Sequence, residues 1–83
     1  MRLASHVKFR EEKFGGVLFE TRAEKVYTLT PTAAAVVQEI AAGRAEAEIA
    51  PHLAERYEGP AGAIEREVKA FLADLRDKGL VED

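Results

Sequence analysis

The sequence predicts an α+β fold in which a three-stranded antiparallel sheet is followed by three helices. Two observations support this prediction. The first third of the chain alternates apolar and polar residues with a period of two, and the remainder carries apolar residues at helical spacing. The period changes at Thr30 and Pro31. With 83 residues, the chain has room for one domain, residues 1–83, with one small core.

Three short segments in the first third have the pattern of strands. Val7 and Phe9 alternate with charged residues in the first segment, residues 17–19 form the second, and residues 25–29 form the third. The polar link of residues 21–24 predicts a hairpin between the last two, although it lacks the Asn-Gly or Asp-Gly pair of a tight turn. In the resulting meander the third strand lies at an edge of the sheet.

The first helix has clear boundaries in the sequence. Thr30 is a good N-cap, and Pro31 fits the first helical position, where its missing N–H group costs nothing. Gly43 fits the left-handed residue that ends a helix. The apolar residues between them recur at helical spacing: Ala33, Val36, Val37 and Ile40.

A second helix is predicted within residues 46–57, with apolar residues at Ile49, Leu53 and Tyr57. Its start is poorly marked, because Ala45 is a weak N-cap. Pro51 would remove a backbone hydrogen bond if the helix began as early as Glu46. The pattern therefore leaves two alternatives, a kinked helix or a late start.

Residues 59–62 predict a loop, from which a third and longest helix runs to Lys78 and stops at Gly79. Leu80 and Val81 are placed to pack back onto it. The central apolar stripe of this helix consists of Ile64, Val68, Phe71 and Leu75.

The two flanks of this stripe differ in charge. One flank is basic-leaning and carries Glu65, Lys69, Leu72 and Arg76, whereas the other carries Glu67 and Asp74. We expect Ile64, Phe71 and Leu75 to lie in the core. For Val68 and Leu72 two alternatives stay open, because either residue can complete the core or line a groove.

The residues that catalysis or metal binding would need are scarce. The chain has no Cys, and its two histidines, His6 and His52, lack the spacing of metal ligands. Ser5 is near a terminus that we expect to fray, with no base beside it. Gly15 and Gly16 are followed by a strand and by no Lys-Ser/Thr pair, so they predict a turn or bulge and not a phosphate loop. We therefore expect no catalytic residues, no metal and no cofactor.

The charge distribution and the hydropathy of the sequence limit where the protein can be located and which partners it can bind. Net charge is −3, and residues 1–29, 30–60 and 61–83 carry +2, −3 and −2. This balance argues against a nonspecific grip on nucleic acid, which depends on clustered Lys and Arg. The sequence shows no membrane span and no signal peptide, so we expect a cytoplasmic protein with no membrane partner. The edge strand offers unpaired backbone groups to an added peptide strand.

The chain resembles the PqqD-like family of peptide chaperones, also called recognition elements, of ribosomally made and modified peptides. The opening from Val7 to Phe19 is similar to the B-component chaperone of mycofactocin-type clusters. The resemblance covers nearly the whole chain, although Thr30-Pro31 and Ala45 depart from common family residues. It rests on the pattern from Val26 to Thr30, Ala33 to Val37, Ile49, Leu53, Tyr57, Val68, Phe71, Leu72, Leu75 and Gly79 to Val81.

The resemblance implies a winged-helix-like fold and a non-catalytic function. The protein would bind the leader segment of a precursor peptide and present it to a radical S-adenosylmethionine maturase. The leader would add to the third strand and press side chains into a groove between that strand and the third helix. Carried over, the peptide-binding residues are Lys25, Val26, Tyr27, Thr28, Leu29, Val68, Lys69, Leu72 and Arg76. Lys25, Lys69 and Arg76 would attract acidic leader residues, and replacing Leu72 by Asp would abolish binding without unfolding the domain.

Two other functions are compatible with the same order of elements. A winged-helix DNA-binding module is the main alternative, although its recognition helix should present Arg, Lys, Asn or Gln, and the exposed candidates here are mostly Glu. A structural or toxin–antitoxin interaction domain is another. An exposed edge strand also permits a homodimer through that strand, which would mask the proposed site.

Overall fold

In a computed structural model of the chain, residues 1–57 and 62–83 are described. The elements of these residues are β1 (Arg2–Leu3), β2 (Val7–Glu12), β3 (Gly15–Glu20), β4 (Lys25–Leu29), α1 (Pro31–Ala41), α2 (Glu46–Arg56), α3 (Ala63–Asp77) and β5 (Val81–Glu82). The predicted three-stranded sheet followed by three helices is confirmed by β2–β3–β4 and α1–α3. None of the helices in the described ranges is long and apolar enough to span a membrane.

The main sheet is antiparallel, with strand order β2-β3-β4. Glu12 pairs with Gly15, so the first hairpin turns at residues 13 and 14, and both glycines lie within β3. The turn or bulge predicted at Gly15 and Gly16 is therefore wrong, because both glycines pair in continuous register with β2 and the turn comes before them. Gly15 has a φ of 142°, and a Cβ there would collide with the carbonyl oxygen of Leu29 and lie 2.6 Å from the carbonyl carbon of Thr30. Glycine is needed for close packing against the end of β4.

The second hairpin is closed by a buried carboxylate. Glu20, only 8% exposed, accepts hydrogen bonds from the backbone N–H groups of Arg22 at 2.7 Å and Ala23 at 2.9 Å. Burial raises the pKa of Glu20, but these two N–H groups and the nearby His6 outweigh it, so the pKa lies below its ordinary value. Glu24 adopts the left-handed conformation with a φ of 56°. The turn thus forms without an Asn-Gly pair.

Helix α1 has the boundaries that the sequence predicts. The Oγ1 atom of Thr30 accepts a hydrogen bond from the N–H group of Ala33 at 3.2 Å, and Pro31 is the first helical residue. At the other end, Gly43 has a φ of 84°, and its N–H group donates to the carbonyl of Ile40. The backbone N–H group of Arg44 donates to the carbonyl of Glu39. This is the Schellman arrangement of a helix C-terminus.

Helix α2 begins at Glu46 and contains Pro51, so the late start is excluded. Ala45 caps it with no side-chain hydrogen bond, and the acidic Glu46 and Glu48 in the first turn favour the helix dipole instead. Tyr57 follows the helix end, and its N–H group donates to the carbonyl of Leu53. Of the loop predicted at 59–62, residues 59–61 lie outside the described residues.

Helix α3 ends at a second Schellman motif, in which Gly79 has a φ of 70° and Leu80 donates to the carbonyl of Leu75 at 3.0 Å. Leu80 and Val81 are buried, as predicted. Strand β5 then pairs with β1, and Ala4 donates to the carbonyl of Leu80. The first residues are therefore tied to the last, and the prediction of a frayed N-terminus is wrong because this long-range pairing has no local signal.

The core lies between the main sheet and the helices. Helix α1 packs on β3, and α2 packs on both α1 and α3. The largest fully buried side chains come from every layer: Leu18, Val36, Val37, Ile40, Ile49, Leu53, Val68, Leu75 and Leu80. Consequently α1 is the central element, with the sheet on one side and the other helices beside it.

Candidate functional site

Strand β4 is a free edge of the main sheet. Within the described residues it pairs with β3 and with no other strand, so alternate backbone groups along its outer side lack a partner. Val26 on this strand is 61% exposed, which is unusual for a large apolar residue here. Tyr27 is half-buried and Leu29 is buried. The edge therefore offers both backbone groups and apolar surface to an added strand.

A cleft of about 270 Å³ adjoins the end of this edge. Its walls come from three elements: Thr28 and Leu29 of β4; Thr30, Thr32, Ala33 and Val36 at the start of α1; and Glu67, Val68 and Phe71 of α3. Most of these lining side chains are apolar or small. The cleft thus has the size and lining to take one apolar side chain of a ligand whose backbone runs along β4.

The structure brings only part of the predicted site together. Thr28, Leu29 and Val68 line the cleft, and residues 25–27 continue along the same strand. Lys69, Leu72 and Arg76 are not among the described residues that line it. They share the flank of α3 on which Arg76 pairs with Glu46, the first residue of α2. The flank predicted to border the groove therefore faces α2.

Leu72 and Val68 are core residues. Leu72 is 4% exposed and is not among the lining residues of the cleft, so it completes the core; Val68 is fully buried and also forms part of the cleft wall. The expectation that Leu72→Asp would abolish binding without unfolding does not fit this burial, because an unpaired carboxylate in the core costs several kcal/mol. Phe71 and Ile64, in contrast, are only half-buried and pack at the rim of the core.

The charge of Arg76 is engaged by neighbouring carboxylates. Its Nη1 atom is 2.6 Å from Oε2 of Glu46, and its Nη2 atom is 2.8 Å from Oδ1 of Asp83. The hydrogen bonds from Arg76 lower the pKa of Glu46 and of Asp83 below their ordinary values. Arg76 is therefore not a free cation for a peptide.

Two charged residues at the groove have no ion pair within the described part of the chain. Lys25 is exposed at the start of β4, and Glu67 is exposed on the wall of the cleft. Lys78, which follows the last residue of α3, lies on the same flank as Phe71 and close to Tyr27. It is paired with Asp74, and this pairing raises the pKa of Lys78. The groove between β4 and α3 is thus basic at one end and acidic at the other.

On α3, sequence reasoning missed two residues of the cleft wall, Glu67 and Phe71. They are four residues apart and therefore neighbours on one edge of α3, opposite to the edge of Leu72 and Arg76. The sequence carried a signal for them, since Phe71 is a large apolar residue at the margin of the stripe beside an acidic flank. The sequence contained no indication of the side of α3 on which α2 packs.

A second ionic cluster joins α1 to α2 away from the cleft. Glu39 is 7% exposed, contacts Arg44 through its carboxylate, and has Nδ1 of His52 at 2.7 Å and Arg56 at 3.7 Å. Burial raises the pKa of Glu39, but the hydrogen bond and charge of Arg44 and the charge of His52 lower it below its ordinary value overall. Across residues 1–57 and 62–83, no group of three or more His, Asp or Glu is arranged to hold a metal ion.

Comparison with known proteins supports the likeness of fold and family. A family model described as "Coenzyme PQQ synthesis protein D (PqqD)" matches residues 15–81. A solved structure, "Lasso peptide synthetase B1 complexed with the leader peptide", is 28% identical, with a TM-score of 0.82 over 99% of this chain and 96% of that chain. A second, "TbiB1 in Complex with the TbiA(beta) Leader Peptide", is 21% identical and shows the same fold, with a TM-score of 0.86 over 99% and 95%. A search of curated protein sequences gave no match.

Proposed function

The chain belongs to the PqqD family, and from this premise we propose that it is a non-catalytic chaperone that binds the leader segment of a precursor peptide. The observation that carries the proposal is the free edge of β4 beside an apolar cleft. The solved structure of a lasso peptide synthetase B1, 28% identical, contains a leader peptide. Peptide binding is therefore the function that both the site and the family favour.

The mechanism proposed is strand addition. A leader segment would extend the sheet beyond β4 through main-chain hydrogen bonds, which give affinity without demanding a particular sequence. Its alternate side chains would continue the row of Tyr27 and Leu29 and enter the cleft against Phe71. The other side chains would lie beside Val26 on the outer face. Specificity would then come from the cleft and from the charges at its ends.

The proposed contact residues follow from this geometry. Lys25–Leu29 and Val68 remain in the set, and Phe71, Glu67 and Ala33 join it as cleft residues. Lys69, Leu72 and Arg76 are left out of the proposed set, because none of them lines the cleft. A leader would have to cross to the α2 side of α3 to reach Arg76.

The enzyme that receives the leader has two candidates. The resemblance of the N-terminal segment to mycofactocin-type chaperones favours a radical S-adenosylmethionine maturase. The similarity to a lasso peptide synthetase B1 favours a lasso peptide synthetase as the alternative. Co-purification of tagged protein with each enzyme type encoded near its own gene, in the presence and absence of the leader, distinguishes the two. A DNA-binding role has no specific support, since two of the three exposed charged residues of α2 are acidic, Glu48 and Glu55.

Amide hydrogen exchange measured by NMR tests strand addition directly. The probe is a synthetic leader peptide from a precursor gene adjacent to that of the chaperone, added to labelled protein. Strand addition predicts that the outward-facing amides of β4 exchange rapidly in the free protein and become protected in the complex. The amides of α2 serve as the internal control and should be unaffected.

Two results would contradict the mechanism. Protection confined to α3 would indicate binding without strand addition. Protection of β4 in the free protein that grows with protein concentration would indicate a homodimer through the edge strand. Sedimentation of the free protein over the same concentration range distinguishes the dimer from peptide binding.

A further inference from the structure

The groove between β4 and α3 has separated charges at its two ends. Glu67 is exposed on the cleft wall beside the apolar Val68 and Phe71, and Lys25 is exposed at the far end of β4. Within residues 1–57 and 62–83, neither residue takes part in an ion pair, whereas Arg76 and Lys78 are both paired with carboxylates. Among the described residues, the groove therefore has one acidic and one basic residue without an ion pair. The flank of α3 considered in the sequence analysis had predicted a groove with basic residues only, Lys69 and Arg76.

The distance between these two charges along β4 sets the spacing of the complementary charges in a bound peptide. Lys25 and Leu29 are four residues apart, and a strand rises by about 3.3 Å per residue, so the two ends are separated by about 13 Å. A strand added to β4 has the same rise. A peptide cation near Leu29 and a peptide anion near Lys25 would thus be about four residues apart in the peptide.

Resting on the proposed function, we infer that Glu67 is a specificity-determining residue that selects a basic side chain two residues from the apolar residue occupying the cleft, on the same face of the added strand. Lys25 selects an acidic side chain about four residues away in the peptide. The chaperone then recognises a charge pattern in its leader and not net acidity. Exposed pairs of this kind change Kd by about two- to fivefold each, enough to rank related leaders.

Selection from a phage-displayed library of random peptides long enough to span β4 tests this inference without knowledge of the natural leader. The wild-type protein should enrich peptides with Lys or Arg two residues from an apolar residue and with Asp or Glu about four residues from that basic residue. Glu67→Lys should replace the basic preference by an acidic one, and should raise the Kd of a basic wild-type-selected peptide by about five- to tenfold. Lys25→Glu should change only the other position.

The matched control is Glu55→Lys, which makes the same charge change at an exposed position of α2. It should keep the wild-type peptide pattern, and circular dichroism melts should show all three variants folded. An unchanged pattern with Glu67→Lys, or the same change with Glu55→Lys, would overturn the inference while leaving peptide binding intact. Failure of the folded wild-type protein to enrich any peptide would instead count against the proposed function, and the inference would fall with it.

Discussion

Two neighbouring residues of α3, Phe71 and Leu72, should respond in opposite ways to truncation. Leu72 is 4% exposed and packed in the core, so Leu72→Ala should destabilise the fold by roughly 2–4 kcal/mol and lower Tm by roughly 10–25 °C. Phe71 is half-buried at the cleft, so Phe71→Ala should change Tm much less. Its effect should appear in binding.

The size of the binding effect follows from the surface that a peptide would cover. If a leader side chain buries about 50 Å² of the Phe71 ring, the loss at about 25 cal/mol per Å² is roughly 1.2 kcal/mol, or about eightfold in Kd. Thermal melts and isothermal titration with a leader peptide, both performed on each variant, measure the two effects.

The reasoning would be refuted by the reverse pattern. A Leu72→Ala variant that has the Tm of the wild type but no longer binds the peptide would indicate that Leu72 lines the groove and is not a core residue. A Phe71→Ala variant with unchanged Kd would show that the cleft does not hold the anchoring side chain. Measuring Kd below the Tm of the less stable variant keeps unfolding from imitating a loss of affinity.

Three further predictions concern the framework of the site. Urea unfolding should show that Gly15→Ala lowers the free energy of unfolding by at least about 2 kcal/mol and Gly43→Ala by about 1 kcal/mol. Both glycines have a positive φ, but only at Gly15 would a Cβ collide with backbone atoms. Equal losses for the two variants would exclude this collision. The pKa of Glu39 is lowered, so its carboxylate stabilises the fold above about pH 4.5, and this stabilisation is lost as the pH falls through the lowered pKa. Glu39→Gln should therefore cost about 1–3 kcal/mol at pH 7 and progressively less as the pH falls below 4.5, and a cost independent of pH would disprove this. Arg76→Gln should leave peptide Kd unchanged in titrations, since its partners are Glu46 and Asp83; weakened binding would place it at the groove.

The elements that the sequence predicts well are those whose ends are set by neighbouring residues. Helix α1 is the clearest case, because Thr30, Pro31 and Gly43 act within one turn of the helix ends. Strands β1 and β5 were missed because each has two residues and its partner lies at the other end of the chain. Tertiary pairing of this kind leaves no periodic signal.

The first hairpin shows how a tertiary requirement can resemble a local one. Gly15 and Gly16 look like turn residues, yet they are strand residues, and a side chain at either would meet the end of β4, Phe9 or α1. The true turn at residues 13 and 14 contains Phe14, which is exposed and is no usual turn residue. Composition alone therefore could not distinguish a turn from a close approach.

The site was predictable to the extent that it depends on the order of strands. An edge position for β4 follows from a meander of three strands, and the structure has this arrangement. The side of α3 that borders the cleft depends on where α2 packs. Phe71 and Leu72 are equally apolar neighbours, so no residue pattern along α3 alone could decide which one faces the groove.

Pairing between distant residues also changes the electrostatic interpretation of the groove. Arg76 appears as a free cation in the sequence, but Glu46 is 30 residues away along the chain and meets it where α2 begins. Once Arg76 and Lys78 are assigned to their partners, the unpaired charges of the described groove are Lys25 and Glu67. An acidic leader would gain at one end and lose at the other, because like charges repel as strongly as opposite charges attract. Selection should therefore depend on the order of charges in the leader, which net charge does not measure.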